Sequence, residues 1–478
     1  MTRRINWRAP RWGFEMDEIR KNIRRVFWLY FILFAALAFY LAKFLVIDSK
    51  DIIASPYNPR LKLQNPSASR GDILDCNGKK LAYTDESGKR VYPLGSAAAH
   101  VVGYYGAGAA GSYGVEARYN FELENAGGEI LQRLWNLISG NTTKCDSIVL
   151  TVDANLQSYV YKQIKDYRAG AIIIEPSTGK ILAMVSAPGF DPNTLAKDFK
   201  SLSSDTENSP LINRASQGKY PPGSVFKIIT AAAAMEYMPD YKTFAYTCAG
   251  SDTVGGKVIR CYDSTVHGEC TLTKAFALSC NTFFANIGMR VGAGKLKTVA
   301  ERFYFNTDLP FPLEYSVSDF PLGTHSADSE TVDTAIGQGK TMTSPLQMAL
   351  VTAVVANDGI LMKPYILDHS AAYNGTITGR TVPDMESIVL TPDISAQIKD
   401  MMVDVTEYGT GSRAAVQGVA IAAKTGSAQT PSGADHGWYT AFFPADNPQY
   451  ALCIVIENIG GSSRVLPIAK NIIKYLTN

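Results

Sequence analysis

Three short strings constrain this chain most: Ser224-Val-Phe-Lys227, Ser279-Cys280-Asn281 and Lys424-Thr425-Gly426. Each sits in a different kind of local structure, so one site built from all three needs a core of mixed helices and strands. Ser224 follows Tyr220-Pro-Pro-Gly223 and precedes Val225-Phe-Lys-Ile-Ile-Thr230 and the run Ala231 to Ala234. The prolines and glycine bar a helix before the serine, and the alanines favour one after it. Ser224 is therefore expected in the first turn of a helix, among free backbone N–H groups, with Lys227 on the same face and within reach of the hydroxyl. A neutral Lys227, favoured by apolar burial, would serve as general base. Taken alone, the pattern also fits an ordinary N-cap serine.

The second string joins two amphipathic runs, Leu272 to Leu278 and Thr282 to Val291, and reads as a short interhelical connection. Its hydroxyl and amide can relay a proton and bind a peptide group, although Ser and Asn are also common caps. The third string ends the small-apolar run Gly418 to Lys424, which suits a buried strand. A lysine with the hydroxyls of Thr425 and Ser427 suits a carboxylate, and Gly426 permits close approach to the backbone. Two further strings imitate the pattern. Ser177-Thr-Gly-Lys180 lies between two apolar runs and reads as a turn, while Ser139-Gly-Asn141 has no partner strings around it.

With these contexts in place, the chain resembles a class B penicillin-binding protein, and more narrowly the penicillin-binding protein A type of D,D-transpeptidase. The likeness extends through Cys248-x-Gly250, His267-Gly268, Leu278-Ser-Cys-Asn-Thr282, Ile336-Gly-Gln-Gly339, Ser344-Pro-Leu-Gln-Met-Ala349 and Gly437-Trp-Tyr-Thr-Ala-Phe-Phe-Pro444. In the N-terminal half it includes Arg70-Gly-Asp-Ile-Leu-Asp75, Gly111-Ser-Tyr-Gly-Val-Glu116 and Tyr119. Cys76 stands where the family usually has Arg, and Ser427 where it usually has Thr. The resemblance implies an α+β fold, an antiparallel sheet with helices on both sides. Strands are expected at 169–175, 180–186, 418–425, 436–443 and 450–457, with a closing helix from Leu466 to Leu476.

The same likeness implies a peptidoglycan D,D-transpeptidase acting on D-Ala-D-Ala stem peptides and stalled by β-lactams. Ser224 would attack, Lys227 would take its proton, Ser279 would carry a proton to the leaving amine and Asn281 would bind the donor peptide. Lys424, Thr425 and Ser427 would hold its carboxylate beside Gly426, and the backbone N–H groups of Ser224 and Ser427 would hold the oxyanion. No cofactor or metal is expected. A D,D-carboxypeptidase uses the same residues, and a largely non-catalytic scaffold of the cell-wall machinery would carry them as a vestigial site. A β-lactamase needs an extra deacylation base, which no string supplies.

Net charge is near zero, with 46 Lys and Arg against 44 Asp and Glu, which argues against a nucleic-acid surface. The imbalance is local. Residues 1–25 carry eight basic residues, including Arg3, Arg4, Arg24 and Arg25, and Val26 to Ile47 is apolar apart from Lys43. That run is long enough to span a bilayer, and its basic flank implies a cytoplasmic N-terminus and an extracytoplasmic bulk. The expected layout is a basic segment at 1–25, an anchor at 26–47, a proline-bearing linker at 48–69, a pedestal at 70–148 and a transpeptidase domain at 149–478. The stretch before the catalytic domain is too short for a glycosyltransferase, so glycan polymerisation falls to a partner, by resemblance a multi-spanning membrane enzyme of the SEDS type.

The seven cysteines are too few for a disulfide scaffold in a chain of this size. Cys248, Cys261 and Cys270 fall near His267, but their spacing fits no common zinc pattern. A Cys248–Cys261 disulfide suits an extracytoplasmic location, and Cys280 is expected to be a packing residue.

Overall fold

The apolar runs of the C-terminal region fold into one five-stranded sheet. In the computed structural model, which describes residues 13–44, 70–124, 145–372, 374–430 and 433–478, every pairing in this sheet is antiparallel. Its spatial order is Ala422–Ala428, His436–Phe443, Tyr450–Ile456, Ala169–Ile174, Ile181–Ala187. All six residues of Ala169–Ile174 are buried, as the near-continuous Ala/Ile pattern of a central strand requires.

Helices cover both faces. Alternate side chains of a strand point to opposite faces, and His436–Phe443 shows what lies on each. Thr440 Oγ1 is hydrogen-bonded to Thr352 of the helix Pro345–Ala356. A Cβ added at Gly437, three residues back, would meet Val465 beside the terminal helix Leu466–Thr477. Pro345–Ala356 is buried on all sides, which explains why its twelve residues carry no charge. The α+β expectation holds, and four of the five expected strands fall within a residue of their predicted bounds. The exception is 418–425, which the structure replaces with Ala422–Ala428. The partner strand stops at Phe443 before Pro444, so Ala422 is the first residue with a ladder partner.

A second sheet runs Ile377–Arg380, Leu367–Ala371, Ser147–Leu150, Ile73–Leu74, Lys80–Thr84, Arg90–Val91. It draws strands from both sides of the expected boundary at residue 148. Beside it lies a buried ion cluster. Glu116, fully buried, accepts from Arg70 Nε and from Arg90 Nε, each at 2.7 Å. The Arg70 guanidinium also lies 3.8 Å from the centre of the Tyr105 ring. Burial pushes the Glu116 carboxyl up, but Arg90 and Arg70 outweigh it and hold the group below its usual range.

The N-terminal helix Gly13–Lys43 forms a separate unit. Its segment Glu18–Leu41 has a mean hydropathy of 1.6, and large apolar side chains such as Phe27, Phe34 and Phe39 are exposed around it. A helix of this length and composition fits a single membrane span. The last residues of the expected anchor, the linker 48–69 and residues 125–144 of the expected pedestal lie outside the described residues.

Candidate active site

The Pro-Pro-Gly sequence before Ser224 makes a tight entry to its helix. Gly223–Phe226 form one 3-10 turn, and the α-helix Lys227–Tyr237 follows directly. Ser224 is thus one turn ahead of the α-helix proper, a local correction to the expected start. Gly223 has φ +56°, and a Cβ there would lie 2.7 Å from the Ser427 carbonyl oxygen. Only glycine lets the nucleophile turn press against the edge strand. Trp438 Nε1 donates to the Pro221 carbonyl at 3.0 Å and fixes the same turn from the sheet side.

The three strings meet at one cleft of about 550 Å³, lined among others by Ser224, Ser279, Asn281, Thr425 and Ser427. Lys227 and Lys424 lie beneath it, both fully buried. Lys227 Nζ donates to the Ser279 carbonyl at 2.7 Å, to Asn281 Oδ1 at 2.7 Å and to Ser279 Oγ at 3.3 Å. Lys424 Nζ donates to Ser279 Oγ at 3.0 Å and to the Thr425 carbonyl at 3.1 Å. Ser279 therefore stands between the two amines, and it does so with φ +56°, a conformation uncommon for a non-glycine residue. No hydrogen bond joins Ser224 to Lys227 among the described residues; the amine is turned toward Ser279 and Asn281.

Burial governs both amines. It pulls Lys227 down to about 8, against a smaller upward pull from the nearby Cys280 and Cys261. Burial and then the charge of Lys227 push Lys424 well below the ordinary lysine range. Both amines reach one hydroxyl in a dry site, so the pair resists carrying two protons.

The edge strand Ala422–Ala428 carries Lys424, Thr425, Gly426 and Ser427 and, among the described residues, pairs only with His436–Phe443, which leaves alternate backbone N–H groups on its other side open to the cleft. Gln338 Nε2 donates to the Ser427 carbonyl at 3.4 Å, and Ser427 Oγ accepts from the Ser462 N–H at 3.0 Å. Thr410 is a site residue that sequence reasoning missed. Its hydroxyl lies 2.6 Å from Thr425 Oγ1, orienting that side chain. Tyr262 and Tyr408 also line the cleft without belonging to any string. Gln338 lies in the Ile336-to-Gly339 block and His267, also at the cleft, in the His267-Gly268 block, so these two blocks of the resemblance marked its walls.

Ser177 lies in the turn between Ala169–Ile174 and the edge strand Ile181–Ala187, where the Thr178 N–H donates to the Glu175 carbonyl. It is absent from the cleft lining. Ser139-Gly-Asn141 lies outside the described residues.

Comparison with known proteins places the chain in a family. The penicillin binding protein transpeptidase domain matches residues 169–474, and the penicillin binding protein A dimerisation domain matches residues 70–148. The chain is 32% identical to the peptidoglycan D,D-transpeptidase PbpA of Mycolicibacterium smegmatis over 456 residues, 87% of this chain and 89% of that protein. Penicillin-binding protein A from M. tuberculosis, solved as its penicillin G acyl-enzyme complex, superposes with a TM-score of 0.79 at 29% identity, covering 86% of this chain and 100% of that one. The D,D-transpeptidase domain of the peptidoglycan glycosyltransferase from Eggerthella lenta superposes with a TM-score of 0.77 at 28% identity, covering 86% and 98%. The convergence of the three strings on one cleft and these matches over most of its length lead to one conclusion: the chain belongs to the penicillin-binding protein transpeptidase family.

Proposed function

We propose that this protein is a monofunctional, serine-type peptidoglycan D,D-transpeptidase that cross-links stem peptides ending in D-Ala-D-Ala and is a target of β-lactams. One observation carries the reading: Ser279 Oγ accepts from both buried amines in a cleft that Ser224 lines. In the proposed reaction Ser224 Oγ bonds to the penultimate carbonyl carbon and its proton passes to neutral Lys227. N–H groups of the 3-10 turn and of the edge strand, those of Ser224 and Ser427, receive the oxyanion. The C–N bond to the terminal D-Ala then breaks, and a proton delivered through Ser279 leaves with the amine. An amine of a second stem peptide attacks the ester, and Ser224 regains its proton.

Asn281 and the edge strand hold the donor peptide. Thr425, Ser427 and Lys424 take its carboxylate, beside Gly426, where the strand backbone is close to the nucleophile turn. The bound carboxylate supplies the negative charge that favours a protonated Lys424, and a charged Lys424 in turn favours a neutral Lys227.

No Asp or Glu lines the cleft among the described residues, so no carboxylate there activates water against the ester. This supports transfer to an amine over rapid hydrolysis. The basic flank of the apolar helix supports a cytoplasmic N-terminus with residues 48–478 outside. A SEDS-type membrane glycosyltransferase is the proposed partner, with residues 70–148 as its docking part. The test is intact-mass analysis of full-length protein exposed to a fluorescent penicillin, followed by product analysis with lipid-linked peptidoglycan and an active glycosyltransferase. A single adduct that disappears in Ser224→Ala and persists in Ser177→Ala, together with cross-linked dimers, is expected. Hydrolysed tetrapeptides without dimers would establish a carboxypeptidase, and no adduct on folded protein would establish a scaffold.

A further inference from the structure

Between Ser279 and Asn281 lies Cys280, a residue the acylation chemistry does not use. It is fully buried and ends in a node of soft donors from four separate segments. Cys280 Sγ lies 3.8 Å from Cys261 Sγ, Cys261 Sγ lies 3.6 Å from Cys248 Sγ, and Cys248 Sγ lies 3.4 Å from His267 Nδ1. All four donor atoms lie within 4.8 Å of one another. At 3.6 Å the Cys248–Cys261 pair is not a disulfide, whose sulfurs are separated by about 2 Å.

Those three separations match the edges of a tetrahedral metal site. Bonds of about 2.3 Å to sulfur and about 2.1 Å to nitrogen put S···S edges near 3.8 Å and S···N edges near 3.6 Å. The surroundings suit thiolates. The Gly250 N–H donates to Cys248 Sγ at 3.4 Å, and the Thr282 hydroxyl lies 3.4 Å from Cys280 Sγ and 3.8 Å from Cys261 Sγ. Packing alone does not call for an imbalance of three thiols and one imidazole at ligand spacing. A disulfide would consume two of the donors and leave a thiol and a ring without a role.

We propose that Cys248, Cys261, His267 and Cys280 bind one structural zinc ion. The ion ties the excursion from Tyr246 to Cys270 to the turn that carries Ser279 and Asn281. The same two segments are also joined by Asn281 Nδ2 donating to the Arg260 carbonyl at 2.9 Å. The sequence hid this set for a physical reason. The local grouping pairs Cys270 with Cys248 and Cys261, whereas the fold admits Cys280 from the catalytic turn. The resulting intervals of twelve, five and twelve residues belong to no compact finger. Thiolate and imidazole donors in tetrahedral array select zinc over hard cations.

The test uses the full-length protein in detergent, prepared with reductant and without chelator. Elemental analysis should find one zinc per chain. Metal-stripped protein titrated with Co²⁺ should develop the visible bands and sulfur charge transfer of a tetrahedral thiolate site, saturating at one equivalent. Cys261→Ser and Cys248→Ser should lose both signals, and Cys270→Ser should keep them. Zinc far below stoichiometry with no Co²⁺ bands in the unsubstituted protein would overturn the site without reference to any variant's folding. A Cys248–Cys261 disulfide found by mass analysis of protein from its native membrane would overturn it as well. Chelation should slow fluorescent-penicillin labelling and added Zn²⁺ should restore it; an unchanged labelling rate would overturn the tie to the Ser279 turn. The metal readouts stand whether or not the protein proves to be a transpeptidase.

Discussion

At the scale of single residues, the proposed mechanism divides the work between the two buried lysines. Lys227 must be neutral to accept the Ser224 proton, and burial brings its amine to about 8. A group with a lowered pKa sheds its proton as pH rises, so the acylation rate constant should climb through pH 8 and then level. Stopped-flow labelling with a penicillin whose own charge is fixed across that range checks this, and a flat profile from pH 6 to pH 10 excludes Lys227 as the base. Lys227→Ala should abolish acylation. Lys424→Ala should weaken it by roughly 10²–10³-fold for carboxylate-bearing β-lactams, the scale of losing one charged contact in a dry site. Ligands without the carboxylate should lose much less. Ser224, Lys227, Ser279, Asn281 and Lys424 were legible because each lies in a short string whose local structure the neighbouring residues dictate. Thr410 was not, because its value lies in a 2.6 Å contact across fifteen residues to Thr425. The left-handed turn at Ser279 also leaves no mark in composition.

Elements succeed or fail together here, and the sequence reveals them unequally. Strands of the central sheet were visible as apolar runs between turn signals. The second sheet was not, because Leu367–Ala371 pairs with Ser147–Leu150 across more than two hundred residues. Long-range pairing of this kind has no local periodicity to betray it. One consequence is that a chain beginning near Leu150 loses most of a sheet along with the pedestal. It should unfold at markedly lower temperature, while any folded fraction still labels at Ser224; loss of labelling from a folded fraction would show that the pedestal shapes the cleft. Glu116 anchors that region. Glu116→Gln leaves two buried guanidiniums facing a neutral amide and should cost about 3–5 kcal/mol in denaturant unfolding. Because the native carboxyl is held low, this stabilisation is present above the ordinary carboxylate range and fades as pH falls below about 4. Gly223→Ala, which must displace the Ser427 carbonyl, should lose acylation together with roughly 1–3 kcal/mol of stability.

For the molecule as a whole, the lasting acyl-enzyme is the signature to seek. With no carboxylate at the cleft wall, a penicilloyl adduct should persist for minutes to hours by intact mass. Turnover within seconds would require a deacylating carboxylate, and the described cleft lining holds none. The open edge of the central sheet gives this chemistry a geometric meaning. Most proteins conceal such an edge, because a bare row of N–H and C=O groups recruits any extended chain. In this molecule Lys424 and Gln338 donate to the Thr425 and Ser427 carbonyls, and the edge packs against the nucleophile turn. In the proposed reaction an extended donor peptide would pair with its remaining open N–H groups as a temporary sixth strand. Strand pairing fixes register in steps of a residue, so a donor held this way meets Ser224 at one peptide bond only. A helical or folded peptide of the same composition would find no seat. What would be an aggregation hazard elsewhere would become a ruler, measuring from a carboxylate held at Thr425 to the bond that is cut.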